Sequence, residues 1–394
     1  MSLMLACATF SQIFASLSWG HESYQMTEWL INYAGGFVRR GLPGEIIARL
    51  SEATGIRANY LVIATSLSCY LALVIWFLRA STRVFPAALI ISSIVMGFPA
   101  YQDSIIRKDC FGVMLLLSCL KAEASSLPRP WVICIVNLLA SIAILSHEAF
   151  VFYAIPAFIL FQRTQHSSQD FRSIVRRSLS LLPTTAVFLF AICHHGTPEI
   201  ARAVHESWMP LWQSIDPSVT SVTTPDASIE GLGWTTSQGL SLSIYMLSHG
   251  LYQPLAWAMV FIISFVLVLL YTGNGKNADP ANSMQMKVRI AALLVAQLLF
   301  ISPLFLLGVD YGRWLFFWVA SSIILQTLHW KAPNWLESAT FRVFDKMHLS
   351  AIFERIPVRD WYLLFFGVPV CWNLYNFITA APLIRHLDIL RNSF

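Results

Sequence analysis

The sequence predicts an all-α, polytopic integral membrane protein, and three observations carry that expectation. Of 394 residues, 56% are apolar and only 12% charged, against roughly 25% charge in a soluble domain. About eleven apolar runs approach the roughly twenty residues that span a bilayer as a helix. They lie near 3–19, 59–78, 84–101, 104–121, 130–146, 149–163, 178–194, 250–271, 288–308, 314–329 and 361–381. Nothing between them reads as a separate soluble domain, so residues 1–394 form one transmembrane domain.

The first run opens with MSLMLACATF, which lacks a positive n-region and is followed by no small-residue cleavage site. It is expected to stay attached as a span rather than leave as a signal peptide. Cys7 lies too near the start for a lipoprotein signal. Cys69, Cys110, Cys119, Cys134 and Cys371 sit in or beside apolar runs without metal-type spacing and read as small packing residues. The first loop, about 20–58, contains LPGEIIARLSEATG. There Pro43 suits a first helical turn, Ile46, Ile47 and Leu50 share one face, Glu45 and Arg49 stand four apart on the other, and Gly55 is a stop. This predicts an amphipathic helix lying on the outer leaflet.

Charge sets the expected sidedness. The stretch 163–177 carries Arg163, Arg172, Arg176 and Arg177, whereas the long loop from His195 to about Gln238 carries only Arg202. Basic residues stay cytoplasmic, so the first is expected inside and the second, within an outer loop of about 195–249, outside. Stepping outward places sixteen of the twenty-six basic residues inside, the N-terminus inside and the C-terminus outside. The loop of about 330–360 is then cytoplasmic, with Trp335, Phe344 and Ile352 suggesting a surface helix. Arg39, Arg40, Arg49, Arg57, Arg107, Lys108 and Arg313 remain outside against the bias and need another reason to be there.

Polar clusters at that outer side are the candidate sites. In NYAGGFVRRGLPGEI, Arg39 and Arg40 are flanked by Gly35, Gly36, Gly41 and Gly44. Glycines let backbone N–H groups approach a ligand, and guanidinium forks grip phosphate oxygens, so an anion clamp is one reading. Anchorage of the neighbouring helix to lipid phosphates is the other. In YQDSIIRKD, Arg107 and Lys108 are further anion-binding candidates. Asp103 can contact an acceptor or, if the stretch is helical, pair with Arg107 four residues on. At AILSHEAFVF, His147 and Glu148 can move or orient a proton, or simply cap the next helix. In GVDYGRW, Asp310 and Arg313 can pair locally, while Arg313 beside Tyr311 and Trp314 also suits a phosphate or a sugar ring. In the long loop His194 and His195 lack a third metal ligand, and Trp208 is an aromatic platform for a sugar or a packing residue.

This arrangement, with a long first outer loop bearing a surface helix, about eleven spans and a larger outer loop later, resembles the polyprenol-dependent GT-C glycosyltransferases. More loosely it resembles bacterial O-antigen and exopolysaccharide polymerases. GT-C enzymes place an acidic residue just after the first span, and Glu22 (in HES) and Glu28 (in TEW) stand at that place here. The absence of a paired-acid motif leaves metal dependence open, and no cofactor is expected. The polymerases carry outer-loop arginines, matched by Arg39, Arg40, Arg107 and Arg313. The resemblance implies sugar transfer from an undecaprenyl-diphosphate-linked donor at the extracytoplasmic face of a bacterial inner membrane. In this reading Glu22, Glu28, His147 and Glu148 are the catalytic candidates, Arg39, Arg40, Arg107, Lys108 and Arg313 bind diphosphate, and Asp103, Asp310, Tyr311 and Trp208 face the acceptor or sugar. The expected partners are the donor, the acceptor, the bilayer and other polysaccharide-assembly proteins, with no nucleic acid. A lipid-linked glycan flippase and a membrane acyltransferase using His147 and Glu148 are the alternatives.

Overall fold

The computed structural model describes residues 1–165, 175, 178–220, 226–249, 253–275, 283–370 and 374–392. Arg172, Arg176, Arg177 and Cys371 lie outside the described residues. Every regular element among the described residues is helical. The helices are α1 (Ser2–Ser16), α2 (Tyr24–Trp29), α3 (Leu42–Thr54), α4 (Ala58–Ala80), α5 (Ala87–Ile90), α6 (Gly97–Tyr101), α7 (Asp109–Glu123), α8 (Arg129–Ser146) and α9 (Phe150–Gln165). They continue with α10 (Leu182–Cys193), α11 (Pro198–Ser207), α12 (Met209–Ile215), α13 (Ala227–Glu230), α14 (Thr236–Ser248), α15 (Pro254–Tyr271) and α16 (Ser283–Leu307). The last are α17 (Tyr311–Thr327), α18 (Asn334–Lys346), α19 (Leu349–Arg355), α20 (Trp361–Phe365), α21 (Leu374–Thr379) and α22 (Pro382–Asn392).

Among the described residues four helical stretches are long and apolar enough to cross a membrane: Ala58–Arg83, Arg129–Ser146, Pro254–Tyr271 and Ser283–Leu307. Ser2–Ser16, Phe150–Thr164 and Leu182–Cys193 are shorter apolar helices. Two of the eleven expected spans are broken. The run 84–101 divides into α5 and α6 around a turn in which Met96 N–H donates to Ile90 O (2.9 Å) and Gly97 N–H to Ser92 O (2.9 Å). A side chain at Gly97 would strike Ile91 O and Ser92 O, so the backbone crosses itself where only glycine fits. Residues 89–101 are all buried, and irregular backbone at membrane depth is tolerated only when protein surrounds it. The run 361–381 divides likewise into α20 and α21, with Gly367 pressed against the backbone at Ala380 and Ala381.

The helix read from LPGEIIARLSEATG is α3. Pro43 occupies its first turn, Gly55 ends it in the left-handed region (φ 70°), and Glu45 pairs with Arg49 at 2.9 Å. Its apolar residues divide: Ile47 is buried against α2 and α4, while Ile46 and Leu50 face outward. The long loop is mostly helical. Trp208, Leu211 and Trp212 of α11–α12 pack on Met26, Trp29 and Leu30 of α2, and Val204, Ile229 and Leu232 pack on Ile31 and Val38. Segments 17–57, 194–220 and 226–235 therefore make one layer across the end of the bundle where α1, α8, α10 and α16 finish and α4, α7, α9 and α17 begin. At the opposite end Trp330 Nε1 donates to Leu160 O (3.1 Å) and Glu123 holds Arg129 (2.5 Å) and Gln162 (3.2 Å).

Candidate functional site

Beneath that layer the loops bring an unusual number of charges together. Ser23 caps α2 by accepting from Met26 N–H (3.3 Å), and Thr27 is fixed by Ser228 (2.5 Å) and Asp226 (3.0 Å) of the long segment. This sets Glu28, the next residue, pointing into the bundle with no exposed surface. Trp29 Nε1 and Ser66 Oγ both donate to Ile106 O, which fixes the turn that presents Arg107 and Lys108. Asp109 opens α7, Asp310 precedes α17, and Arg313 lies in the first turn of α17, where Gly312 gives the chain room beside Pro369 O.

Arg313 is the centre. Its Nε reaches Asp109 Oδ2 at 2.8 Å, one terminal nitrogen reaches Asp109 Oδ1 at 2.5 Å, and the other reaches Asp310 at 2.6 Å. Arg107 contacts Asp310 at 3.2 Å and lies 4.7 Å from the ring centre of Tyr24. Glu28 stands between them, 3.5 Å from Arg107, 3.6 Å from Arg313 and 3.4 Å from His147 Nε2, yet neither of its oxygens accepts a hydrogen bond from the described residues. Lys108 donates to Arg40 O (3.1 Å) and Ser146 O (3.2 Å), tying three loops together. His147 Nδ1 accepts the Ala149 N–H at 3.2 Å. The proton of the neutral ring therefore resides on Nε2, facing Glu28.

At the edge of this cluster, Arg40 forks onto Glu148, Nε to Oε2 at 2.7 Å and a terminal nitrogen to Oε1 at 2.5 Å, and Arg39 adds a contact at 3.2 Å. Arg40 holds a left-handed backbone (φ 67°), rare for a side chain of this size. The Arg39 N–H donates to His194 O (3.1 Å), which pins the loop to the end of α10.

Burial alone would raise the Glu28 carboxyl, but Arg313 and Arg107 outweigh it and hold the group well below the usual carboxylate range. Burial likewise opposes ionisation of Glu148, and Arg40 and Arg39 win. Burial, assisted by Arg40, pushes the His147 imidazole down to about 3. Among the described residues no group of three His, Cys, Asp or Glu side chains is placed to hold a metal ion. Glu28 is ringed by cationic groups rather than by further free carboxylates, a donor set unsuited to a divalent cation. A small cavity of about 10 Å³, room for a single water, lies between Lys108, Asp109, His147 and Tyr153.

Of the residues singled out from sequence, Glu28, Arg39, Arg40, Arg107, Lys108, His147, Glu148, Asp310 and Arg313 come together here. The others do not. Glu22 is 63% exposed and accepts from Gly20 N–H (3.1 Å) beside His21. Asp103 sits in a left-handed turn (φ 49°) and pairs with Arg385 of α22, so the helical pairing with Arg107 is replaced. Trp208 is buried with Nε1 donating to Leu30 O (2.7 Å), a packing residue. Tyr311 donates to Phe305 O (3.0 Å) and packs on Trp257 and Phe305. Sequence reasoning gave no role to Asp109, Tyr24 or Asp226. Asp109 was visible beside Lys108, whereas Tyr24 and Asp226 carry no sequence signal.

An all-helical chain with long apolar helices and ionic side chains collected between its loops is a polytopic membrane protein. The chain belongs to the family described as uncharacterised membrane protein Rv1490, which matches residues 1–232. The match takes in Glu28, the loops of Arg39–Arg40 and Arg107–Lys108 and the His147–Glu148 turn, and ends before Asp310 and Arg313. No curated protein and no solved structure matches the chain.

Proposed function

We propose that this protein is a glycosyltransferase or polysaccharide polymerase of a bacterial inner membrane, moving a glycan from an undecaprenyl-diphosphate-linked donor to an acceptor hydroxyl. In this reading the N-terminus is cytoplasmic, the C-terminus outside, the cluster faces the extracytoplasmic side, and α3 lies along the outer leaflet. The observation that carries it is the convergence of five cationic side chains from three separate parts of the chain on two carboxylates: Arg107 and Arg313 flank the fully buried Glu28, Arg39 and Arg40 hold Glu148, and Lys108 ties their loops together. The acceptor oxygen attacks the anomeric carbon, the bond from that carbon to the diphosphate oxygen breaks, and the electron pair leaves on the diphosphate. Fixed guanidinium groups stabilise that developing charge without reorganising.

Glu28, ionised and free of hydrogen bonds, is the group to orient the acceptor hydroxyl and take its proton as the new bond forms. His147 is a positioning residue, its Nε2 facing Glu28 at 3.4 Å. Glu148 belongs to the arginines rather than to the acceptor. Glu28 is closed over in the resting arrangement, so the acceptor reaches it only once the loop layer has opened. The test is glycan transfer by purified protein in nanodiscs, read by mass spectrometry with an undecaprenyl-diphosphate oligosaccharide. Product that forms with wild type and disappears with Glu28→Gln supports the reading, and equal product with both defeats it.

The broken helix pair α5–α6 favours a second reading, transport of the same lipid-linked glycan. Interrupted spans with irregular buried backbone are a recurrent feature of transporter sites. Proteoliposomes separate the two: movement of the labelled lipid to the opposite leaflet with its glycan unchanged would establish transport in place of transfer.

A further inference from the structure

We infer that Glu148 is the resident anion of the Arg39–Arg40 clamp, a carboxylate that fills the phosphate position until a phosphate group of the ligand displaces it. The inference rests on the reading of Arg39 and Arg40 as a diphosphate site. Its ground is geometric. A carboxylate and a phosphate present two oxygens at similar spacing to a guanidinium fork, and Glu148 occupies the Arg40 fork through both oxygens while also touching Arg39.

Three further features fit a place where anions exchange. The arginines and Glu148 retain exposed surface, 26%, 21% and 16%, whereas Arg107, Arg313 and Asp109 retain at most 5%. Two guanidinium groups share one carboxylate, and the buried Arg39 Nε has no partner among the described residues. Arg40 is held by a contact that a ligand need not disturb: its carbonyl oxygen accepts from Lys108 while its backbone sits in the left-handed region (φ 67°). Leaving anion and resident anion would then compete for one site, which favours release of the diphosphate carrier after the sugar has gone.

The experiment measures binding of inorganic diphosphate, and separately of undecaprenyl diphosphate in mixed micelles, to the full-length protein by calorimetry. Removing the competitor should tighten binding, by roughly tenfold or more for Glu148→Gln, and by less for Glu148→Asp, which keeps the charge but shortens its reach. The affinity order Gln, Asp, wild type supports the inference, and a flat or reversed order overturns it. Adding Arg40→Lys to Glu148→Gln should return the affinity to the wild-type level or below, and unchanged tight binding in the double variant would also overturn the inference. Glu148→Asp keeps the negative charge and supplies the folded comparison should Glu148→Gln be unstable. Tightening for inorganic diphosphate without binding of the polyprenyl form would retain the resident-anion role and refute the lipid-linked donor.

Discussion

Arg313 and Arg40 make the same kind of contact in two different settings. Arg313 is 2% exposed and meets Asp109, Asp310 and Glu28. Arg40 is 21% exposed and shares Glu148 with Arg39. With Lys108 protonated, the inner set holds three cations against three carboxylates, and the outer set two cations against one. The excess positive charge of the cluster therefore lies at its edge. A buried charge is costly unless matched, so the inner set is matched. An under-matched pair survives where water and ligands reach it, and there it remains available to an incoming anion.

The largest expected effect is on the inner set. Arg313→Met leaves Asp109 and Glu28 buried without their principal counter-ion and should cost ~3–5 kcal/mol. The equivalent Arg40→Met should cost only about 1 kcal/mol. Thermal melts in detergent check this, and equal losses at the two positions would erase the distinction between inner and outer arginines. Next, Glu28→Gln should lower turnover by roughly a hundredfold, with Glu22→Gln near wild type because that side chain is exposed and bonded only to its neighbours. Product formation at matched protein level decides it, and a greater loss at Glu22 would move the acid out of the cluster.

A smaller contrast lies within the outer pair. Arg40→Lys destroys a two-pronged contact and should weaken diphosphate binding by roughly tenfold. Arg39→Lys replaces a single contact and should cost a few-fold. Equal and full binding by both lysine variants would point instead to attraction of charge alone, as for a helix anchored to lipid phosphates.

The gentlest effect is the dependence of stability on pH. His147, Glu28 and Glu148 all bind protons more weakly folded than unfolded. The stability these three groups contribute is therefore complete above the unfolded imidazole value of 6.5 and declines as pH falls from 6.5 toward 3, where the folded ring finally protonates. Below the usual carboxylate value of 4.5 the two glutamates add to the decline. Each group contributes ~1.4 kcal/mol per pH unit within its window. Melting midpoints should rise between pH 4 and pH 6.5. A His147→Asn variant should lack the upper part of that rise, and an unchanged profile would show that the imidazole does not titrate with folding.

Much of this was legible in the sequence because composition and end signals act locally. Pro43, the Glu45–Arg49 spacing and Gly55 define α3 without help from the rest of the chain. The arginines at 39, 40, 107 and 313 stood out because each opposes the charge bias expected of its loop. What distant packing decides was not legible. Nothing near Asp103 announces Arg385, and nothing near Thr27 announces Asp226. Trp208 looked available for a sugar because sequence does not reveal that Leu30 O and the α2 side chains cover it. The runs 84–101 and 361–381 are apolar enough for spans, and a hydropathy sum gives no weight to the close backbone approach at Gly97 or Gly367.

The broken pair α5–α6 bears on how the molecule is made. Phe98 stacks on Phe316 at 5.6 Å, a partner synthesised more than two hundred residues later. A stretch whose backbone groups are not satisfied by its own helix gains little by partitioning into lipid alone. During synthesis residues 84–101 have α1 and α4 as their earlier neighbours, and the face that meets Phe316 stays uncovered until α17 is made. Insertion of this chain therefore cannot proceed strictly one segment at a time, and its last apolar helices complete the housing of one of its first.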